Sequence, residues 1–200
     1  MDFLAVLDYE HLDNGVFLNS FAKSLARKDK RGIIIHGDSE HTERIIQTGV
    51  MRDQAQIRAI KELNHRLVAL FADEGISTIA LNGFQKSLIT FDDSSINIDK
   101  KQIENLPDHP MVLISNLCLD ERTNQYAPLP LSRMATALSA RFEIEEITIF
   151  SVDESSDIIK QDFPEKMSIR DIDKSFIEKH IPENLRDLAT DVRIRTGSDF

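Results

Sequence analysis

Among the residues of this 200-residue chain, the densest set of chemically capable side chains follows the apolar run Ile33-Ile34-Ile35. His36, Asp38, His41 and Glu43 are all metal-ligand types, yet their spacing fits no standard metal signature, so no metal site is expected. Asp38 or Ser39 also reads as the N-cap of a short helix, with Glu40 and Glu43 well placed for its positive end. Asn82-Gly83 follows a strand end, the position at which ligands sit in open α/β sheets, and it reads equally as a tight turn. The lone cysteine, Cys118, lies within the apolar run Met111 to Leu119, which marks a buried small residue rather than a nucleophile. The sequence contains no Gly-x-Ser-x-Gly, no Walker loop, no Cys/His pairing and no basic aromatic patch.

The elements that must position these groups alternate between short β runs and amphipathic helices, the signature of a mostly parallel sheet sandwiched by helices in three α/β/α layers. Strands are expected at Phe3 to Leu7, Ile33 to Ile35, Ile76 to Leu81, Met111 to Leu119 (one continuous strand), Ile147 to Val152 and Val192 to Ile194. A hairpin is expected from Leu88–Phe91 and Ser95–Ile98 over the turn Asp92-Asp93-Ser94. Helices are expected at Val16 to Ala26, Asp53 to Asp73, Leu131 to Phe142, Ile169 to His180 and Pro182 to Leu188, with Gly75 stopping the second. From Ser155 onward the chain becomes more charged and less periodic. In helix 53–73, Leu63, Leu67 and Leu70 widen the apolar band beyond what one sheet contact requires. A homodimer mate or a deep groove between elements accounts for that width.

Composition narrows the classes. Hydrophobic residues are 41% and charged residues 29%, the balance of a folded globular chain of one domain. The net charge of −10 repels polyanions and argues against nucleic-acid binding. No window approaches the roughly 20 apolar residues of a membrane span, and Met1-Asp2-Phe3-Leu4 lacks the basic start of a signal peptide. A cytoplasmic location is therefore expected.

Several strings, in order and spacing, resemble acetylglutamate kinase of the amino acid kinase family, on a shortened plan. They are Ile33-Ile34-Ile35-His36-Gly37, Glu62 to Leu70, Gly75 to Leu81, Ala135-Thr136-Ala137-Leu138 and Ile147 to Phe150. The resemblance covers most of residues 1 to 160 and implies an acceptor-side half over 1–125 and a reduced nucleotide-side half over 126–200.

The same resemblance specifies what phosphoryl transfer needs, which is positioning and positive charge. Where the family has a lysine and a Gly-Gly turn after the first strand, this chain has Val6-Leu7-Asp8-Tyr9. The family's His-Gly-Gly-Gly loop reads His36-Gly37-Asp38-Ser39. Its Asn-x-Asn-x-Asp string is replaced by Pro128-Leu129-Pro130-Leu131-Ser132, and the Gly-Met-x-x-Lys segment has no counterpart. Removing one preorganised donor from such a site costs on the order of 10² to 10³ in rate.

The expectation is a protein that has lost phosphoryl transfer, requires no cofactor, and binds a small ligand or acts in regulation or assembly. Gly49-Val50-Met51-Arg52-Asp53 is similar to the family's Gly-x-Arg-x-Thr-Asp, so Arg52 is a candidate clamp for a small carboxylate. It also reads as a solvated charge beside Asp53. The alternative is an active kinase using ATP and Mg on a small carboxylate such as N-acetylglutamate, with catalytic groups relocated to Lys100, Lys101 or Lys160.

Overall fold

In the computed structural model, which describes residues 1–153 and 165–200, two sheets and seven α-helices account for most of the chain. In order these are β1 (Phe3–Leu7), α1 (Tyr9–Leu12), α2 (Gly15–Leu25), β2 (Gly32–His36), α3 (His41–Ile46), α4 (Arg52–Asp73) and β3 (Thr78–Asn82). The hairpin β4 (Ile89–Phe91) and β5 (Ile96–Ile98) follows, then α5 (Lys100–Glu104), β6 (Met111–Ser115), β7 (Leu117–Asp120) and β8 (Gln125–Pro128). The chain continues with α6 (Leu131–Phe142), β9 (Ile147–Phe150), α7 (Lys174–His180) and β10 (Arg193–Arg195).

The main sheet runs β10-β9-β1-β2-β6-β3, all parallel. Its inner strands are buried at every position because both faces are covered. Successive side chains alternate between faces. Leu4 and Val6 join one core with Ile33, Ile35, Val112 and Ile114, while Phe3, Ala5 and Leu7 join the other with Ile34 and Leu113. The first core is closed by Met134, Ala135 and Leu138 of α6, and the second by Phe17 and Phe21 of α2 with Leu63, Leu67 and Phe71 of α4. This is the expected three-layer α/β/α architecture.

Local signals set the helix ends. Asn14 Oδ1 accepts hydrogen bonds from the backbone N–H groups of Val16 (3.1 Å) and Phe17 (3.0 Å) at the start of α2. Gly75, at φ +76°, ends α4, with Ile76 N donating back to Phe71 O at 2.9 Å. In the hairpin turn, Asp92 Oδ1 accepts from the backbone N–H groups of Ser94 and Ser95, each at 2.7 Å.

Three expectations need correction. Met111 to Leu119 is two strands, β6 in the main sheet and β7 in a second sheet ordered β5-β4-β7-β8. The break is Asn116, whose N–H donates to His36 O (2.8 Å) and whose Nδ2 donates to Leu129 O (2.9 Å). Averaged hydrophobicity reads across this bend because both flanking strands are apolar and buried, and the polar Ser115-Asn116 pair is its one mark in the run.

Ile169 to His180 is a short 3₁₀ turn at Ile169–Asp171 followed by α7, since Ile172 is extended and Asp173 Oδ1 caps the new helix at Ser175 N, 2.8 Å away. Pro182 to Leu188 holds only the 3₁₀ turn Glu183–Leu185. The width of the α4 apolar band also has an internal cause: Leu63 and Leu67 are consumed by the core, and Ala55 and Ala59 pack on Ile45 of α3.

Candidate functional site

The carboxyl ends of β1 and β2 open beside the amino end of α6. Strands return to opposite sides of β1, with β2 on one flank and β9 on the other, which makes this edge the place where an open α/β sheet forms a crevice. A cleft of about 390 Å³ lies there. Asp8 and Tyr9 follow β1, Gly37 and Asp38 follow β2, Pro130 and Ser132 begin α6, and Gln56, Asn116, Leu131, Glu183, Asn184 and Asp187 complete the lining.

Charge dominates this cleft. Asp8, Asp38, Glu183 and Asp187 supply four carboxylates, and among the described residues the lining contains no lysine or arginine. Among the described residues none of the four has a cation within ion-pair distance. Asp38 is satisfied by neutral donors: its Oδ1 accepts from Ser39 N at 2.8 Å and from the Thr42 hydroxyl, and its Oδ2 from Gln56 Nε2 at 2.9 Å.

Asp8 is only 2% exposed, and burial raises its carboxyl above the usual carboxylate range. Hydrogen bonds from the Tyr9 N–H and the Asn184 amide oppose that shift. Tyr9 is also shifted upward, by burial first and then by Glu40, Asp38 and Glu43, which reports the negative potential at the cleft wall. The amino end of α6 contributes about +0.5 of a charge. That is small beside four carboxylates.

The remaining sequence candidates fall elsewhere. His36 is fully buried beneath the cleft floor, with Nε2 at 3.3 Å from Asn64 Oδ1 and Nδ1 at 3.1 Å from Gly37 O. Burial lowers its pKa to about 4, so the ring is a neutral tie between β2 and α4. Neither Asp38 nor Ser39 is the N-cap of α3, which is Glu40; Ser39 lies one residue earlier, its Oγ accepting from His41 N at 3.2 Å.

Arg52 stands at the exposed start of α4 and pairs with Glu43 at 2.9 Å, outside the cleft lining. Asn82 and Gly83 lie at the end of the edge strand β3. There Asn82 Oδ1 accepts from Ser115 Oγ at 2.9 Å, and a Cβ on Gly83 would fall 2.5 Å from Cys118 Sγ. Close packing of that turn therefore accounts for the glycine. Val6 is fully buried in β1, and Pro128 ends β8 outside the cleft.

Sequence reading missed Gln56, Asn116, Glu183, Asn184 and Asp187. Only Asn116 carried a signal, as a polar interruption of an apolar run. Among the described residues no group of three or more His, Cys, Asp or Glu has the arrangement of a metal site. No helix of those residues is long and apolar enough to cross a membrane.

A second cavity of about 550 Å³ shares Pro130, Ser132 and Asp187 with the cleft and is otherwise lined by residues such as Ile96, Arg133, Ala137 and Ala140. The Arg133 guanidinium donates to Asp92 O at 3.3 Å. Lys100 and Lys101 line neither cavity, and Lys160 lies outside the described residues.

No protein family profile matches the sequence, and no curated protein matches it either. Solved structures do. Isopentenyl phosphate kinase of T. acidophilum superposes with a TM-score of 0.65 at 12% identity, over 99% of this chain and 92% of that one. N-acetylglutamate synthase from Neisseria gonorrhoeae, complexed with coenzyme A and N-acetyl-glutamate, gives 0.65 at 15% identity over 98% of this chain and 54% of its own. Aspartate kinase from Synechocystis gives 0.59 at 10% identity over 76% of this chain and 28% of its own.

The chain is therefore short beside the synthase and the aspartate kinase but nearly equal in extent to the phosphate kinase. Identities this low establish architecture and leave activity open. The chain has the amino acid kinase-like fold, a mostly parallel six-stranded sheet between helical layers.

Proposed function

We propose that this chain is a non-catalytic protein on the amino acid kinase fold, degenerate in the manner its acetylglutamate kinase-like strings suggest, whose cleft binds a small ligand in a regulatory or assembly role. The observation that carries the reading is the charge of the cleft: four carboxylates and, among the described residues, no cation in its lining. Mg–ATP does not fit such a lining. Each phosphate charge within about 4 Å of a carboxylate meets repulsion of roughly 1 to 4 kcal/mol, depending on solvent exposure. No lysine among the described lining residues offsets it. The clamp for a small carboxylate assigned to Arg52 loses support, since that guanidinium is engaged with Glu43 away from the cleft.

Mg–ATP is expected to leave the melting temperature unchanged, and no ADP release is expected across a panel of small carboxylates and phosphates. A saturable rise of several degrees with Mg–ATP, or steady ADP release with any acceptor, would falsify the reading. One observation favours the alternative of an active kinase with relocated groups: Arg133 stands in the first turn of α6 beside the larger cavity. The same ADP-release assay decides it, with Arg133→Ala abolishing any turnover that depends on that guanidinium.

Assembly is part of the proposal. With Leu63 and Leu67 buried, the surface of α4 left for a second copy includes Gln54, Ile57, Lys61 and His65, next to the half-exposed edge strand β3. A homodimer through α4 is expected in light scattering at micromolar concentration, and Ile57→Asp is expected to shift it to monomer. A monomeric wild-type chain would remove the assembly component.

A further inference from the structure

Two buried acceptors at the cleft lack donors among the described residues. Asp8 is 2% exposed and Asn116 is 6% exposed, both line the cleft, and neither Asp8 Oδ2 nor Asn116 Oδ1 has a hydrogen-bond partner among those residues. The Asn116 amide is oriented by its own contacts, because Nδ2 donates to Leu129 O at 2.9 Å and leaves Oδ1 as the free end. Asp8 is held from the other side by Asn184, whose Nδ2 lies 3.5 Å from Oδ1. Buried acceptors without donors are uncommon in folded proteins and are costly to maintain.

Charge points the same way. Asp8, Glu183 and Asp187 face the cleft without a counter-cation among the described residues. A ligand suited to this place brings positive charge and N–H donors together, and it is small enough to reach acceptors that solvent barely touches. The adjoining cavity adds Ile96, Ala137 and Ala140, which can cover a short hydrocarbon chain.

We propose that the cleft binds a short aliphatic amine, with one ammonium group donating to Asp8 Oδ2 and Asn116 Oδ1 and Glu183 and Asp187 holding a second positive group nearer the rim. An ammonium matches both acceptors at once because it has three donors and a full charge in a compact head. A quaternary ammonium has the charge without the donors. A bare divalent ion lacks, among the described residues, the clustered ligand set it requires. The proposal rests on the non-catalytic, ligand-binding reading and specifies its ligand class.

The test is calorimetric titration of the full chain with 1,4-diaminobutane, alongside tetramethylammonium, magnesium chloride and Mg–ATP at matched ionic strength. Saturable binding of the diamine is expected, with tetramethylammonium and magnesium at least tenfold weaker. Asp8→Asn is expected to weaken the diamine at least tenfold. If that variant fails to fold, the rim double variant Glu183→Gln/Asp187→Asn serves instead, with an expected loss of about fivefold. No saturation with the diamine, or equal binding of tetramethylammonium or magnesium, overturns the amine site. A protein silent to both diamine and Mg–ATP loses only the amine proposal, whereas tight Mg–ATP binding overturns the non-catalytic reading itself.

Discussion

Lowering the pH from 7 to 4 is expected to remove most of the stability of this protein, through two buried histidines. His36 and His11 are 0% and 3% exposed, and burial lowers each pKa to about 4 from 6.5. In both cases hydrogen bonds oppose the shift without cancelling it: Gly37 O and Asn64 act on His36, and Ser151 O, at 3.1 Å, acts on His11.

Between about 4 and 6.5 the unfolded chain binds protons that the folded chain refuses, so stability is full above pH 6.5 and falls as pH drops toward 4. Each ring accounts for roughly 3 kcal/mol over that window. Together they approach the roughly 5 to 15 kcal/mol total of a typical domain. His180, lowered by burial and by Lys179, acts in the same direction. Asp8 acts in the opposite one, because a carboxyl raised in the fold takes up its proton earlier than in the unfolded chain. Asp92 and Asp173, held low by their turn hydrogen bonds, lose their contributions only below about 3.8 and so outside the window. Urea unfolding measured in half-unit pH steps should show an uptake of about two protons on unfolding near pH 5. A flat profile from pH 6.5 to 4.5 would contradict the buried-neutral assignment of both rings.

Phe150→Ala is expected to cost about 3 to 5 kcal/mol and to lower the melting temperature by roughly 10 °C. Phe150 is fully buried on β9, with ring centroids 5.1 Å from Phe17, 5.3 Å from Phe21 and 5.4 Å from Phe200. The three contacts are edge-on or nearly so, the arrangement that adds to simple area burial. These partners come from α2 and the end of the chain, so collapse into the cavity would require several elements to move together. His11 stands at the same cluster, 4.4 Å from the Phe17 ring and 6.0 Å from Phe150, which ties this core to the acid-sensitive ring. Phe150→Leu should cost less than half as much. A loss under about 1 kcal/mol for the alanine variant would show that the aromatic cluster does not hold β9 to α2.

Much of the architecture was legible in the chain because its determinants are local. Phe3 to Leu7 and Ile33 to Ile35 are short apolar runs, as strands covered on both faces are, and the strand expected over Ile147 to Val152 forms over Ile147–Phe150. The Asp92-Asp93-Ser94 turn and the Gly75 stop needed only neighbouring residues to act. A short helix after Asp38-Ser39 was foreshadowed, though its N-cap is Glu40 and its packing against α4 was not legible. The failures have an equally local explanation. Asn116 redirects the chain from one sheet to another within a run that hydrophobicity reads as continuous, and Asp173 restarts a helix where periodicity shows no gap.

By itself the sequence determined the three-layer architecture and which residues, Asp8, Tyr9, Pro130 and Ser132 among them, stand after β1 and at the start of α6. Tertiary structure alone decided that Glu183, Asn184 and Asp187 complete the same cleft, with Asn184 reaching Asp8 across 176 positions of chain. Periodicity and capping act over a few residues, whereas the potential in a cleft sums charges brought together by packing. The anionic character of the site therefore exists only once β1, β2, α6 and the turn at Glu183–Leu185 are assembled around it.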